Sequence, residues 1–346
     1  MNLSKNISSI TKLVPGFIAA IAIAAAAKFL ESLLPIHLVG ASVIALFIGM
    51  IINNFHTPGQ TLKPGLTFTS KKILKFAIIL LGASLSIGTI LNVGKLSLTV
   101  MCFTLLTCFG GGFFIGKLLG LNWKLSNLIS AGTGICGGSA IAAIAPVIDA
   151  EDTDIAYAMS ATFLFDMAMI LLFPIMGRWL NLSDMAYGLW AGTAVNDTSS
   201  VVAAGYAYSE AAGDFATMVK LTRTLSIIPT VIIFAFINTH LKRKNNKNIS
   251  DNTVSKANIF SLFPWFILGF IGLALINSFN LIPSAVSSAA KEFSKFLMVA
   301  ALAAIGLNTS FKDMKKSGIA PMVHGFIIST LVIIVAIVVE YFMGIV

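Results

Sequence analysis

The chain has 346 residues, of which 57% are hydrophobic and only 11% charged, with a formal net charge of +9. A soluble globular chain of that length has no use for so much apolar surface, which excludes a soluble enzyme or binding module. The positive charge does not indicate nucleic acid, because Lys and Arg gather in short loops between long apolar runs.

Eleven runs are long enough to cross the hydrocarbon core as helices, for which about 20 residues are needed. They cover 14–30, 36–53, 70–92, 95–119, 124–149, 154–179, 185–209, 213–241, 259–279, 284–310 and 318–343. The first follows Lys5 and Lys12 and resembles a signal peptide, but ten further spans follow it. It reads as the first helix of an all-α polytopic membrane protein, with 1–346 as a single transmembrane domain. Lys63, Lys71 and Lys72 precede the third span, and Lys117 and Lys124 separate the fourth from the fifth. Arg178 ends the sixth, Lys242, Arg243, Lys244 and Lys247 follow the eighth, and Lys312, Lys315 and Lys316 follow the tenth. If every run crosses once, these loops share one side, and the positive-inside rule makes that side the cytoplasm. The N-terminus is then cytoplasmic and the C-terminus outside. The opposite loops carry Glu31, Asp149, Glu151, Asp152, Asp154, Glu210 and Asp214, with Lys95 as the exception. Residues 242–258 form a basic, Asn-rich cytoplasmic linker between the eighth and ninth spans.

Two stretches inside apolar runs are rich in glycine and small hydroxyls. One reads Ala131-Gly-Thr-Gly134-Ile-Cys136-Gly137-Gly138-Ser139, the other Ala191-Gly-Thr-Ala-Val-Asn196-Asp197-Thr198-Ser199. At an offset of 60 they share Ala-Gly-Thr, then Ser139 with Ser199, and the register continues to Asp154 over Asp214. Such residues let a helix break in mid-membrane, where open backbone is tolerated if it lines a cavity or is buried in protein. A pair of breaks in related halves points to a transporter's binding site. Residues 134–139 and 195–199 are therefore expected to interrupt their helices and to lie close together. A second repeat pairs Lys75-Phe76…Gly82-Ala-Ser-Leu-Ser86 with Lys295-Phe296…Gly306-Leu-Asn-Thr-Ser310, in spans of opposite direction. The two breaks would be parallel if both segments cross, and inverted if both are re-entrant. The acidic loop at 149–154 favours crossing.

Asp166, Asp197, Lys220 and Arg223 lie well inside apolar spans, where an ionisable side chain is costly and marks function. Lys220 and Arg223 share a helix face. Lys220 is within snorkelling reach of the outer interface, which leaves Arg223 as the deeper charge. Asp166 is expected to face inward and to reach Arg223, Lys220 or the break at 136–139. Glu340, near a helix end, is expected to be solvated. Gly132-Thr-Gly134-Ile-Cys-Gly137 fits a dinucleotide fingerprint in letters alone, because no βαβ unit surrounds it. Cys102, Cys108 and Cys136 and the four histidines show no metal-ligand spacing. Neither cofactor, metal nor enzymatic machinery is expected.

The stretch Gly132 to Pro146, the stretch Trp190-Ala-Gly-Thr-Ala-Val-Asn-Asp-Thr-Ser-Ser-Val-Val-Ala-Ala, Val219-Lys-Leu-Thr-Arg and Ala304-Ile-Gly-Leu-Asn resemble the UPF0324 family of bacterial membrane proteins. That family is also called YeiH-type and carries the label of sulfate exporters. Many relatives have a His-acid pair where this chain has Asn196-Asp197. More distantly, the order of break, Asp-bearing helix and break is similar to cation/proton antiporter and bile-acid-symporter folds. The resemblance implies a multi-pass protein of the bacterial inner membrane. The resulting expectation is a secondary transporter, acting as an exporter, of a small inorganic or organic anion such as sulfate. Gly134, Cys136, Gly137, Gly138, Ser139, Asn196, Thr198, Ser199, Lys220 and Arg223 would bind the anion. Asp166 and Asp197 would bind H+ or Na+ as coupling ion. The lipid bilayer is the one further partner implied, nucleic acid is excluded, and a homodimer stays open. The rival readings are a cation/proton antiporter worked by the two acids and an uptake carrier or channel.

Overall fold

A computed structural model describes residues 12–33, 41–245, 265–309 and 318–346, and every regular element among them is helical. The helices are α1 (Val14–Leu33), α2 (Ala41–Phe55) and α3, which runs from Lys63–Phe68 through a π-helical turn at Thr69–Ile73 to Leu74–Gly82. Next come α4 (Ile87–Leu118), α5 (Trp123–Ala131, prolonged by a π-helical turn at Gly132–Cys136) and α6 (Gly138–Ile144). They are followed by α7 (Asp152–Trp179), α8 (Asp184–Ala194), α9 (Thr198–Tyr208), α10 (Glu210–Thr224) and α11 (Ile227–Asn245). The last are α12 (Trp265–Ser278), α13 (Ser284–Asn308) and α14 (Ile319–Phe342). Among the described residues, five stretches have the length and apolarity of a membrane span: α1, α4, α7, α10 with α11, and α14. Lys5, residues 246–258 of the linker, and Lys312, Lys315 and Lys316 lie outside the described residues.

Side-chain caps set several boundaries. Ser86, Asn122, Ser183 and Ser209 each accept a hydrogen bond from the backbone N–H three residues on, satisfying one orphan donor of the following helix. The Ser86 cap moves the third boundary from the expected 93–94 to 83–86. Lys95 accordingly stands exposed within α4 and not in a loop. The expected span 213–241 also divides. Pro229 has no N–H and its ring crowds the carbonyl four residues back, at Leu225. The chain tightens there, with Leu225 and Ser226 donating to Thr222 and Arg223, and Arg223 falls in the last turn of α10.

Two of the eleven expected spans turn back on themselves. At the start of α5, Lys124 Nζ donates to the Asp149 carbonyl at 2.6 Å and Asn122 Nδ2 to Asp154 Oδ1 at 3.0 Å. The segment 122–154 therefore enters and leaves at one end. Ser209 Oγ likewise donates to Asp184 Oδ1 at 2.6 Å, and Tyr187 stacks on Tyr208 with ring centroids 3.9 Å apart. The segment 183–209 is a second hairpin. Length dictates this: α8 and α9 have 11 residues each, about 16 Å of rise, half the thickness of a hydrocarbon core. α7 joins the hairpins from end to end, with Arg178 Nη2 donating to the Ala207 carbonyl near its far terminus. The hairpins thus enter from opposite ends. Two placements derived from crossing are overturned. The acidic stretch 149–154 lies at the end that carries Lys117 and Lys124, held by hydrogen bonds from Asn122 and Lys124. Arg178 lies at the opposite end.

The helices form two groups. α1, α2, α3, α12 and α13 pack together, while α4 and α14 pack around the hairpins with α7, α10 and α11. The groups meet where α9 lies on α2 and α13. An ionic cluster ties the same seam, with Lys291 on Asp214 at 2.6 Å, Lys295 on Glu210 at 2.7 Å, and Tyr206 OH on Asp214 at 2.6 Å. α3 and α13 run antiparallel, as Ser294 bonding Ala77 and Ser287 bonding Ala83 require. The glycines of their shared pattern do the same work. A Cβ on Gly82 would stand 2.3 Å from the Phe270 carbonyl oxygen of α12, and one on Gly306 2.1 Å from that of Leu46 in α2. Small residues let helix backbones approach in a bilayer, where lipid offers no hydrophobic drive for association. Gly306→Ala forces α13 off α2 and is expected to destabilise by about 1–3 kcal/mol. Thermal unfolding in detergent reads this against Gly272→Ala, whose Cβ meets nothing within 4 Å. Equal melting of the two variants refutes the packing argument.

Candidate functional site

The tips of the two hairpins meet. The first tip is the π-helical turn, closed by Gly137 N–H donating to the Gly132 carbonyl at 2.8 Å. Gly137 then takes φ 64° and ψ −134°, a conformation that a side chain strains. A Cβ there would also lie 3.0 Å from the Asp197 Cβ. The second tip is the extended segment Val195–Asp197, after which Asp197 caps α9 by accepting from Ser199 N–H at 2.8 Å and from the Ser199 hydroxyl. The expected interruption at 134–139 and 195–199 and their proximity are both present.

The tips are gripped by buried charged side chains of α7 and α10. Asp166 of α7 is 1% exposed and does not reach the 136–139 break. Its two oxygens each accept a backbone N–H of the second tip, from Asn196 and Asp197, both at 2.9 Å. Arg223 of α10, also 1% exposed, grips the first tip. Its Nε donates to the Gly134 carbonyl at 2.6 Å and its Nη2 to the Thr133 carbonyl at 2.7 Å. Lys220 donates to the Val195 carbonyl at 3.0 Å and is 0% exposed, so it does not snorkel to an interface. The expected Asp166–Arg223 or Asp166–Lys220 contact is replaced by a division of labour. The acid holds N–H groups and the bases hold carbonyls, which is how a broken helix satisfies its open backbone away from water.

Among the remaining expected site residues, Cys136 is buried and its Sγ accepts from Ser139 Oγ at 3.0 Å. Gly138 and Ser139 of the first tip and Asp197 and Thr198 of the second are the accessible positions. A Cβ on Gly138 would meet nothing within 4 Å, so open space lies in front of that tip. At the tip residues and their supports, four polar atoms have no partner among the described residues: Asn196 Nδ2 and Oδ1, Arg223 Nη1 and Thr193 Oγ1. Thr193 and the carbonyls of Thr133 and Val195 were not singled out from sequence. Backbone acceptors leave no residue-type signal, but their place inside the small-residue breaks does.

Glu340 is 0% exposed, and neither carboxylate oxygen has a partner among the described residues. The expected solvation is wrong: Glu340 lies on the buried face of α14, which packs against α4, α7 and α8, while its neighbours Tyr341 and Phe342 are exposed. A buried, unpartnered carboxyl group costs stability. Glu340→Met is expected to raise the unfolding temperature, with a gain of about 1–3 kcal/mol. An unchanged or lower unfolding temperature shows that Glu340 has a partner.

The family described as conserved hypothetical protein 698 matches residues 15–325. The UPF0324 membrane protein of Clostridium tetani is 57% identical over 334 residues, 95% of this chain and 97% of its own. That of Streptococcus pneumoniae serotype 4 is 41% identical over 310 residues, 87% of this chain and 89% of its own. That of Fusobacterium nucleatum is 39% identical over 309 residues, 84% of this chain and 87% of its own.

Proposed function

Since the chain belongs to the UPF0324 family of membrane proteins, we propose that it is a secondary active transporter of a small anion, with its site between the two hairpin tips. The observation that carries this reading is the state of Lys220 and Arg223. Both are buried at the tips, both bond backbone carbonyls, and among the described residues no carboxylate lies within 4.0 Å of either. Asp166 and Asp197 act on these cations only from beyond contact distance, and buried cations with no carboxylate in direct contact are costly in a membrane interior. A small anion entering between the tips supplies a direct partner, and a guanidinium with one free Nη suits an oxyanion.

The same arrangement supports alternating access. Hairpins that enter from opposite ends and meet at mid-depth place one site within reach of either side. In this reading α1, α2, α3, α4, α7, α10 with α11, α12, α13 and α14 make nine crossings, and the hairpins make none. An odd number keeps the N-terminus cytoplasmic and the C-terminus outside, as the basic loops suggest. Asp197 is the accessible acid and the place where H+ or Na+ meets the site. Asp166 has both oxygens engaged and braces the second tip. Sulfate and export, implied by the resemblance, are one substrate and one direction within this reading.

The test is counterflow of labelled sulfate and phosphate in proteoliposomes, alongside lumenal pH after a Na+ or K+ pulse. The anion reading expects exchange of at least one anion. Lumenal pH change on the cation pulse without anion exchange replaces it with the antiporter reading.

A further inference from the structure

The orphaned atoms of Asn196 and Arg223 narrow the substrate class. Arg223 Nη1 is a donor and Asn196 Nδ2 is a donor, so both require an acceptor. Asn196 Oδ1 is an acceptor and requires a donor. Both ends of the amide lack a partner, so the need for one donor and one acceptor holds whichever way round the amide is placed. The peptide cannot turn to relieve it. Val195 is held through its carbonyl by Lys220, and Asn196 and Asp197 through their N–H groups by Asp166. Asn196 itself is 0% exposed, so bulk water does not satisfy it. An unpaired buried polar group is costly, and an apolar side chain would fill the same place without that cost. The group makes sense where a ligand completes it.

Resting on the anion-transporter reading, we propose that the anion taken by this site is one that also donates a hydrogen bond. It offers an oxygen to Asn196 Nδ2 and an O–H or N–H to Asn196 Oδ1, with the charge of Arg223 drawing it to the tips. The class comprises hydrogen phosphate, hydrogen carbonate and small hydroxycarboxylates. Sulfate falls outside it: a fully deprotonated tetrahedral anion turns one of its oxygens on Asn196 Oδ1 and leaves that acceptor unpaired. A site built to hydrogen-bond a hydroxyl discriminates strongly against an analogue without it, because its own buried group is then stranded.

Hydrogen phosphate and sulfate are a matched pair, both tetrahedral dianions that differ by one O–H. Glycolate and acetate are a second pair, both monoanions that differ by one hydroxyl. Binding of all four is measured by calorimetry on the full-length protein in nanodiscs, at a pH where phosphate is the monohydrogen dianion, with counterflow in proteoliposomes as a second readout. The expected result is at least about tenfold tighter binding of the hydroxyl-bearing member of a pair, the equivalent of one stranded polar group. Asn196→Leu, which keeps the backbone N–H that Asp166 holds, is expected to erase that preference. Sulfate and acetate binding as tightly as their partners overturns the donor requirement and leaves the anion reading standing. A preference that survives in folded Asn196→Leu overturns the assignment to Asn196. If no member of either pair binds or exchanges, both the inference and the anion site fall. The wild-type comparison decides the matter even if Asn196→Leu does not fold.

Discussion

Asp166→Asn is expected to abolish anion exchange and to loosen the second hairpin tip, although the two side chains have the same shape. The carboxylate accepts the N–H groups of Asn196 and Asp197, one on each oxygen. An amide offers one acceptor and one NH2, so one backbone N–H would face a donor. Hydrogen bonds to an ionised group contribute about 1.5–3 kcal/mol each, and the stranded N–H adds a desolvation penalty. A loss of about 3–5 kcal/mol in the stability of the tip follows. Flux should fall by about 10²-fold or more, since a displacement of roughly 1 Å of positioning groups has that effect. Hydrogen exchange separates this from a direct ion-binding role. The brace predicts faster exchange of the Asn196 and Asp197 amides with Gly132–Gly137 little changed. Unaltered tip protection with lost coupling would return Asp166 to the role of ion ligand.

Arg223→Lys is expected to be nearly as damaging, and at the other tip. The guanidinium holds the carbonyls of Gly134 and Thr133 at once, at 2.6 and 2.7 Å, through two nitrogens in fixed relation. An ammonium is a single point and cannot reproduce a planar fork. One carbonyl of the π-helical turn is then left unpaired in a site removed from water. The cost is about 2–3 kcal/mol, a fall of one to two orders of magnitude in the population of the intact tip. Anion flux and the unfolding temperature should both drop. Lys220→Arg is not the tolerant control its place in the sequence suggests, since Lys220 is wholly buried on Val195 and a larger head overpacks it. Because Arg223 and Asp166 grip different hairpins, Arg223→Ala combined with Asp166→Ala should be no better than the worse single change. Recovery in the double variant would mean that the two charges neutralise each other and that neither braces a tip.

Much of the machinery could be read from the chain. The breaks at Gly134–Ser139 and at Val195–Ser199 were legible because a helix break is a local demand. It needs Gly137 at a conformation other residues resist and Asp197 as a cap, and residue type announces both. The inward placement of Asp166 and Arg223 was legible because a charge in an apolar run has few places to go. The boundary at Ser86 was misplaced because an apolar count runs smoothly through a turn whose signal is one hydroxyl.

Residue type and order by themselves therefore determined an all-helical membrane protein with two interrupted helices and four charges inside apolar runs. The tertiary structure decided how the 124–149 and 185–209 runs lie. A run of 25 apolar residues satisfies hydropathy equally as one crossing or as two half-length helices, and the choice shows only in contacts such as Asn122 with Asp154. That choice moved Arg178 and the 149–154 acids to opposite ends from those expected. It also decided the partners of the charges. Arg223 grips a carbonyl 89 residues away and Asp166 an N–H 30 residues away. Backbone groups are the same at every residue, so no sequence pattern marks which of them a buried charge will hold; packing of the two hairpins, tip to tip, selects them.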